Sequence, residues 1–216
     1  MKILASFSGG KDSMLSLDRA IDEGNTPVGL MVTTNSEGLS WFHDINVDIL
    51  EKVSESLQIP IFFCPCKMGE KYTQDYDKIL MQLVVLTGAK ACVFGDIDIE
   101  EHRAWCQERA DKAKITALFP LWQESRVELV NEFLEKGYKT LIKKVNKNFL
   151  SPSYLGKTLS KELLEKFEKI GIDPCGENGE YHTLVYDGPK FTKKVNLKLG
   201  NISENENCHI REIELA

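Results

Sequence analysis

Through the first 120 residues, short apolar runs alternate with longer segments of helical periodicity. Ile3, Leu4, Ala5 and Phe7 form the first run, which ends in a Gly-Gly pair. Met14, Leu15, Leu17, Ala20 and Ile21 then recur at helical spacing up to Gly24, so a strand followed by an amphipathic helix is predicted. The alternation continues, with strands predicted at 27–34, 59–64, 91–94 and 115–119 and helices at 45–57, 72–87 and 100–112. Strands alternating with helical patterns of this length signal βαβ units around a parallel sheet, with right-handed crossovers placing helices on both faces. The fold class is therefore α/β.

After Pro120-Leu121-Trp122 the pattern changes. A helix at 125–135, a strand at 138–145 and a helix at 160–169 precede a loop rich in glycine and acidic residues, 171–182. Strands near 183–186, 195–199 and 209–213 complete the chain. Residues 1–122 thus read as one α/β domain and 123–216 as a second, smaller α+β domain. No internal repeat or low-complexity tract interrupts them.

Composition changes this picture little. Of 216 residues, 42% are hydrophobic and 28% charged, the balance of an ordinary globular protein. No apolar run approaches the ~20 residues of a membrane span, and the N-terminus lacks the pattern of a signal peptide. A cytoplasmic protein with no membrane partner is expected. The six cysteines read as reduced and largely buried thiols. A net charge of −6 argues against a large nucleic-acid footprint, and the run Lys143, Lys144 and Lys147 reads as a solvated face.

The chemistry is carried by Ser8-Gly9-Gly10-Lys11-Asp12-Ser13, directly after the first strand. Two glycines let backbone N–H groups approach a phosphate, and the following helix adds its N-terminal dipole. Ser8 and Ser13 offer hydroxyls, and Lys11 offers a mobile cation. The loop is not a Walker A sequence: Ala5 stands where that pattern needs glycine, and Asp12 follows the lysine. Gly95-Asp96 follows the fourth strand and reaches the same carboxyl edge of the sheet, where such folds bind ligands. Asp96 suits a ribose hydroxyl, a metal or a helix N-cap. In the later loop, Gly176 and Gly179 flank Glu177 and Glu180, with His182 close by. These groups suit a metal, an ammonium or general-base chemistry, with an acidic turn as the plain alternative.

The Ser-Gly-Gly-x-Asp-Ser hexamer resembles the pyrophosphate loop of the ATP pyrophosphatase superfamily. That likeness implies a Rossmann-like, adenine-nucleotide α-hydrolase fold and cleavage of ATP to AMP and pyrophosphate. Trp41-Phe42-His43, Phe94-Gly95-Asp96-Ile97, Phe119-Pro120-Leu121-Trp122, the stretch Cys175 to Thr183, and Asp187-Gly188-Pro189 stand in the order of the diphthine–ammonia ligase family. The resemblance implies an ATP-dependent amide ligase that adenylates a carboxylate for attack by ammonia. The carboxylate would be diphthine on translation elongation factor two in a host that makes diphthamide, and another carboxylate elsewhere. It further implies Mg²⁺ on the phosphates. Ser8, Gly9, Gly10, Lys11, Asp12, Ser13, His43, Gly95 and Asp96 would bind nucleotide, and Lys11, Glu177, Glu180 and His182 would carry catalysis. No set of metal ligands is assigned, and a homo-oligomeric state is left open.

Two other readings compete. A tRNA-modifying relative would draw on cysteines, and the one close pair is Cys64-Pro65-Cys66, whose thiols share a strand face. The acidic charge and the lack of an added basic domain count against tRNA. A non-catalytic nucleotide sensor on the same scaffold is the second alternative.

Overall fold

The computed structural model describes residues 1–216, apart from the side chain of Glu70. The chain forms two compact units. The first comprises Met1–Ser8, Asp12–Trp41 and Gln58–Glu124; the second comprises Gly9–Lys11, Phe42–Leu57 and Ser125–Ala216. Among the described residues no helix is long and apolar enough to cross a membrane.

The first unit is built on a parallel sheet of β1 (Lys2–Ser6), β2 (Thr26–Thr34), β3 (Ile61–Pro65), β4 (Ala91–Val93) and β5 (Thr116–Leu118), in the order β3-β2-β1-β4-β5. β1 lies between β2 and β4, and its Ile3, Leu4 and Ala5 are fully buried. Such strands read as continuous apolar runs because helices cover both of their faces. Leu4, Met31, Cys64, Cys92 and Phe94 pack with Tyr76, Leu80 and Leu83 of α3 (Glu70–Thr87) and with Cys106 and Ala110 of α4 (Glu100–Lys112). The helix after β1, α1 (Lys11–Asp22), buries Met14, Leu15, Leu17 and Ala20. Because the strand order reverses direction at β1 and β4, the loops after these two strands flank a topological switch point.

The second unit has an antiparallel sheet of β6 (Lys139–Asn146), β7 (Tyr181–Asp187), β8 (Leu197–Glu204) and β9 (Cys208–Leu215), in the order β7-β6-β9-β8. Its helices are α2 (Val47–Leu57), α5 (Arg126–Glu135) and α6 (Lys161–Lys169), with a 3-10 turn at Pro152–Tyr154. Ser125 and Ser160 cap α5 and α6 by accepting from the backbone N–H groups of Glu128 and Leu163. Stacked rings of Phe133 and Tyr138, and the contact of Phe167 with Tyr181, fill the core. Gly188 of the Asp-Gly-Pro motif leaves room for Tyr138: a Cβ there would lie 2.0 Å from the ring.

Three expectations change. Strand β7 begins at Tyr181, so His182 sits in a strand and not in the acidic loop. β8 and β9 run well past the apolar positions that suggested them. Cross-strand pairing with a register shift between Leu199 and Ile202 holds Gly200 and Asn201 in the hairpin despite their low strand preference. The lysine run is no solvated face. Lys143 is 4% exposed, Lys144 pairs with Asp44 at 2.6 Å, and Lys147 pairs with Glu204 at 3.2 Å. A bulge in β6 between Ile142 and Lys144 removes the alternation on which that reading relied.

Candidate active site

Within the first unit, the loops after β1 and β4 meet. The Ser8 backbone N–H donates to Ser13 Oγ at 3.3 Å, and the two hydroxyls lie 3.1 Å apart. Gly95 abuts the first turn of α1, where an added Cβ would come within 3.0 Å of the Ser13 nitrogen and 3.1 Å of the Asp12 carbonyl carbon. A side chain there would require the start of α1 to shift by a few tenths of an ångström. Ser16 fixes the same junction by donating to the Phe94 carbonyl at 2.6 Å. Asp96, next in sequence, is half-buried, and burial raises its pKa while the Cys106 thiol donates to its carboxylate at 3.5 Å. It does not cap α4, whose N-cap is Ile99. Arg103 stacks 4.7 Å from the Trp122 ring centroid and 5.6 Å from that of Phe119, with a long contact to Glu100 at 3.7 Å.

The cysteines of this unit are buried, and burial lifts the thiols of Cys64 and Cys92 to about 12 and that of Cys66 to about 11. Such thiols stay protonated, which removes the nucleophile that thiol chemistry requires.

The second unit gathers the middle of the phosphate loop with His43, His182 and the acidic loop. Gly9 has φ +82°, a conformation that favours glycine, and its carbonyl accepts from the Val185 backbone N–H at 2.9 Å. Gly10 lies against the His43 ring, so that a Cβ would fall 2.4 Å from His43 Cε1. The Lys11 backbone N–H donates to Thr183 Oγ1 at 3.1 Å, and its ammonium donates to the Cys175 carbonyl beneath the Tyr181 ring. His43 Nδ1 bonds the Thr183 carbonyl at 2.7 Å. Thr183, 2% exposed, therefore fixes Lys11 through its side chain and His43 through its backbone.

The imidazoles of His43 and His182 have centroids 4.9 Å apart, tilted by 59°. Burial pulls His43 down to about 4; the Thr183 bond opposes that shift and the charges of Lys11 and Lys144 reinforce it. Burial lowers His182 to about 2, with His43, Lys144 and Lys11 adding to the effect. Both rings are consequently neutral near pH 7. Since a carbonyl only accepts, His43 carries its proton on Nδ1 and a lone pair on Nε2.

Glu180 is 2% exposed, and its carboxylate holds the acidic loop together. It accepts from the backbone N–H groups of Asp173 at 3.3 Å and Asn178 at 3.0 Å, and from Asn178 Nδ2 at 3.0 Å. That arrangement makes Glu180 a positioning group in this structure. Asp173, absent from the candidates of the sequence, works alongside it. Asp173 accepts from the backbone N–H groups of Cys175 and Glu177 at 2.9 and 3.1 Å and pairs with Arg126. Gly176 and Gly179 turn the loop at φ +72° and +81°, leaving the Glu177 side chain half-buried. The Asp173 bonds were legible as an Asx-type turn, whereas its pairing with Arg126, 47 residues away, had no local signal. Thr183 was visible as a motif residue but its role was not.

Among the described residues no cluster of three His, Cys, Asp or Glu side chains forms a metal site. Mg²⁺ commonly uses one or two carboxylates together with substrate phosphates, so the donors here suit a cation that arrives with a nucleotide.

Residues 1–117 match the diphthamide synthase N-terminal domain, and residues 125–215 match the diphthamide synthase C-terminal domain. The chain belongs to the diphthamide synthase family. A mouse relative named diphthine–ammonia ligase is 28% identical over 90% of this chain and 82% of its own. One of the same name from Schizosaccharomyces pombe is 27% identical over 98% of this chain but 39% of its own. A solved structure described as a predicted tRNA methyltransferase subunit from Methanocaldococcus jannaschii gives a TM-score of 0.47. It is 15% identical, over 90% of this chain and all of that one. Membership of the diphthamide synthase family makes this protein an ATP-using ligase that forms a C–N bond.

Proposed function

We propose that the protein cleaves ATP to AMP and pyrophosphate, adenylates a carboxylate and passes the acyl group to ammonia. The carboxylate is that of diphthine, as in the names of the relatives, borne by translation elongation factor two. A carboxylate oxygen attacks the α-phosphorus, and the bond from that phosphorus to the β-phosphate bridging oxygen breaks, releasing pyrophosphate. Ammonia then attacks the acyl carbon, the bond to AMP breaks, and the nitrogen loses one proton to solvent.

The observation that carries this reading is the loop at Ser8–Ser13. Gly9 and Gly10 occupy positions that disfavour side chains, the loop runs directly into α1, and the hydroxyls of Ser8 and Ser13 lie 3.1 Å apart. Backbone donors at a helix start with a lysine beside them support pyrophosphate binding. Ser8, Gly9, Gly10, Lys11, Asp12 and Ser13 are assigned to the phosphates, with Gly95 and Asp96 on the nucleotide side. Glu177 and His182 are assigned to the carboxylate and amine, with Glu180 holding the loop that carries Glu177. Mg²⁺ would neutralise phosphate charge, with Asp12 in the first turn of α1 as its carboxylate. By this assignment residues 1–122 serve mainly the nucleotide and 123–216 mainly the carboxylate substrate.

The test is nucleotide analysis after incubation with ATP and Mg²⁺, with and without ammonium and diphthine-bearing elongation factor. AMP that accumulates only with both co-substrates is expected. ADP as the product, or tight ATP binding with no turnover, would overturn the mechanism.

A further inference from the structure

A C–N ligase must hold a molecule that has almost no features to recognise. Ammonia offers three N–H bonds and one lone pair, and the lone pair must stay free for the acyl carbon. Its receptor therefore needs hydrogen-bond acceptors, arranged on one side and placed where ammonium is disfavoured. The second unit contains such a group of atoms.

We propose that the paired imidazoles of His43 and His182 bind the ammonia consumed by the ligase, holding it beside Gly10 of the phosphate loop. The proposal rests on the ligase reading above and adds the site of its amine. His43 has its Nδ1 proton committed to the Thr183 carbonyl at 2.7 Å, so its Nε2 is an acceptor. His182 stands 4.9 Å away, ring to ring, and neither His43 Nε2 nor either His182 nitrogen has a hydrogen-bond partner among the described residues. The His43 ring is pinned against Gly10, where even a methyl group would collide with it. His43 is thus held in place, and the pair lies adjacent to the loop assigned to ATP, with lone pairs that the protein itself does not use.

The charges around the pair favour the neutral amine. Lys11 and Lys144 both act against a proton on either ring, and Asp44, bonded to Lys144 at 2.6 Å, offsets part of that field at His43. A field that opposes imidazolium opposes ammonium for the same reason, while ammonia carries no charge to repel. Two N–H groups of ammonia donate to the two imidazoles, leaving its lone pair for attack. When the C–N bond forms and the C–O bond to AMP breaks, the proton lost by nitrogen passes to water, since burial and the lysines keep both rings neutral.

Two measurements test this. The first needs no turnover. Long-range ¹H–¹⁵N spectra of the full chain report imidazole nitrogens, and His43→Gln and His182→Gln variants assign two of the four histidines. Ammonium chloride in mildly alkaline buffer is expected to shift the His43 and His182 signals, while potassium chloride leaves them in place. Unmoved signals would overturn the proposal. The second is kinetic, using His182→Phe, which keeps a ring in the contact but no lone pair. Loss of one hydrogen bond should raise KM for ammonium roughly tenfold. KM for ATP should hold. Equal losses for ammonium and for ATP would mark the pair as structural. Shifts without AMP formation would retain the ammonia site and refute the ligase reading, and AMP formation without shifts would do the reverse.

Discussion

Lys143 shows how far a single side chain can depart from what its neighbours in sequence suggest. In a run with Lys144 and Lys147 it looks like surface, yet it is 4% exposed in the β6 bulge. Burial lowers its pKa from 10.5 to about 8, with Asp44 and Glu212 acting against the shift and Lys144 with it. The folded state therefore releases this proton before the unfolded chain does, and between pH 8 and 10.5 stability rises with pH. Below pH 8 the whole cost is present. Replacing Lys143 by Met should stabilise the protein at pH 7 by as much as about 3 kcal/mol. The advantage should shrink as pH climbs through that window, as urea melts at several pH values would reveal. A constant difference between the two proteins would refute the burial account. The same lesson applies to His43 and Thr183. Their identities stood in recognisable motifs, but their bond to one another spans 140 residues and no local pattern announces it.

At the scale of elements, apolar periodicity located every helix to within a few residues, because helix and strand periods are local properties of the chain. It failed where pairing overrides propensity, in the polar hairpin of β8 and β9, and at the start of β7. The segment between α6 and β7 owes its shape to buried carboxylates rather than to any period. Asp173 and Glu180 accept five backbone or side-chain N–H bonds between them, and Asp173 also pairs with Arg126. Asp173→Ala removes two of these acceptors and leaves a partly buried guanidinium without that partner. A loss of about 3–5 kcal/mol is expected. Faster hydrogen exchange should be concentrated in 173–180. A loss below about 1 kcal/mol would be within the range of exposed ion pairs, and would show that the loop is held by other means.

For the molecule as a whole, nucleotide binding should register as stability. A ligand that binds only the folded state adds about 2.7 kcal/mol at one hundred times its Kd. ATP with Mg²⁺ should therefore raise the melting temperature of the wild-type protein by several degrees. Lys11→Ala should abolish most of that rise, read against the variant's own melting temperature without ligand, which loss of the buried bond to the Cys175 carbonyl will itself lower; an undiminished rise would show that Lys11 is not a phosphate contact. The chain by itself determined the parallel α/β sheet and the following α+β segment, and singled out the Ser8–Ser13 loop, since each depends on residue periods, glycines and their order. The family resemblance added the C–N ligase class. Tertiary structure decided the rest. It assigned Gly9, Gly10 and Lys11 to the unit that carries His43 and Thr183, and turned Glu180 into a support for its own loop. It also brought the imidazoles of His43 and His182 to 4.9 Å of one another, tilted by 59°. These outcomes depend on burial and on contacts across more than one hundred residues, and no stretch of sequence encodes either alone.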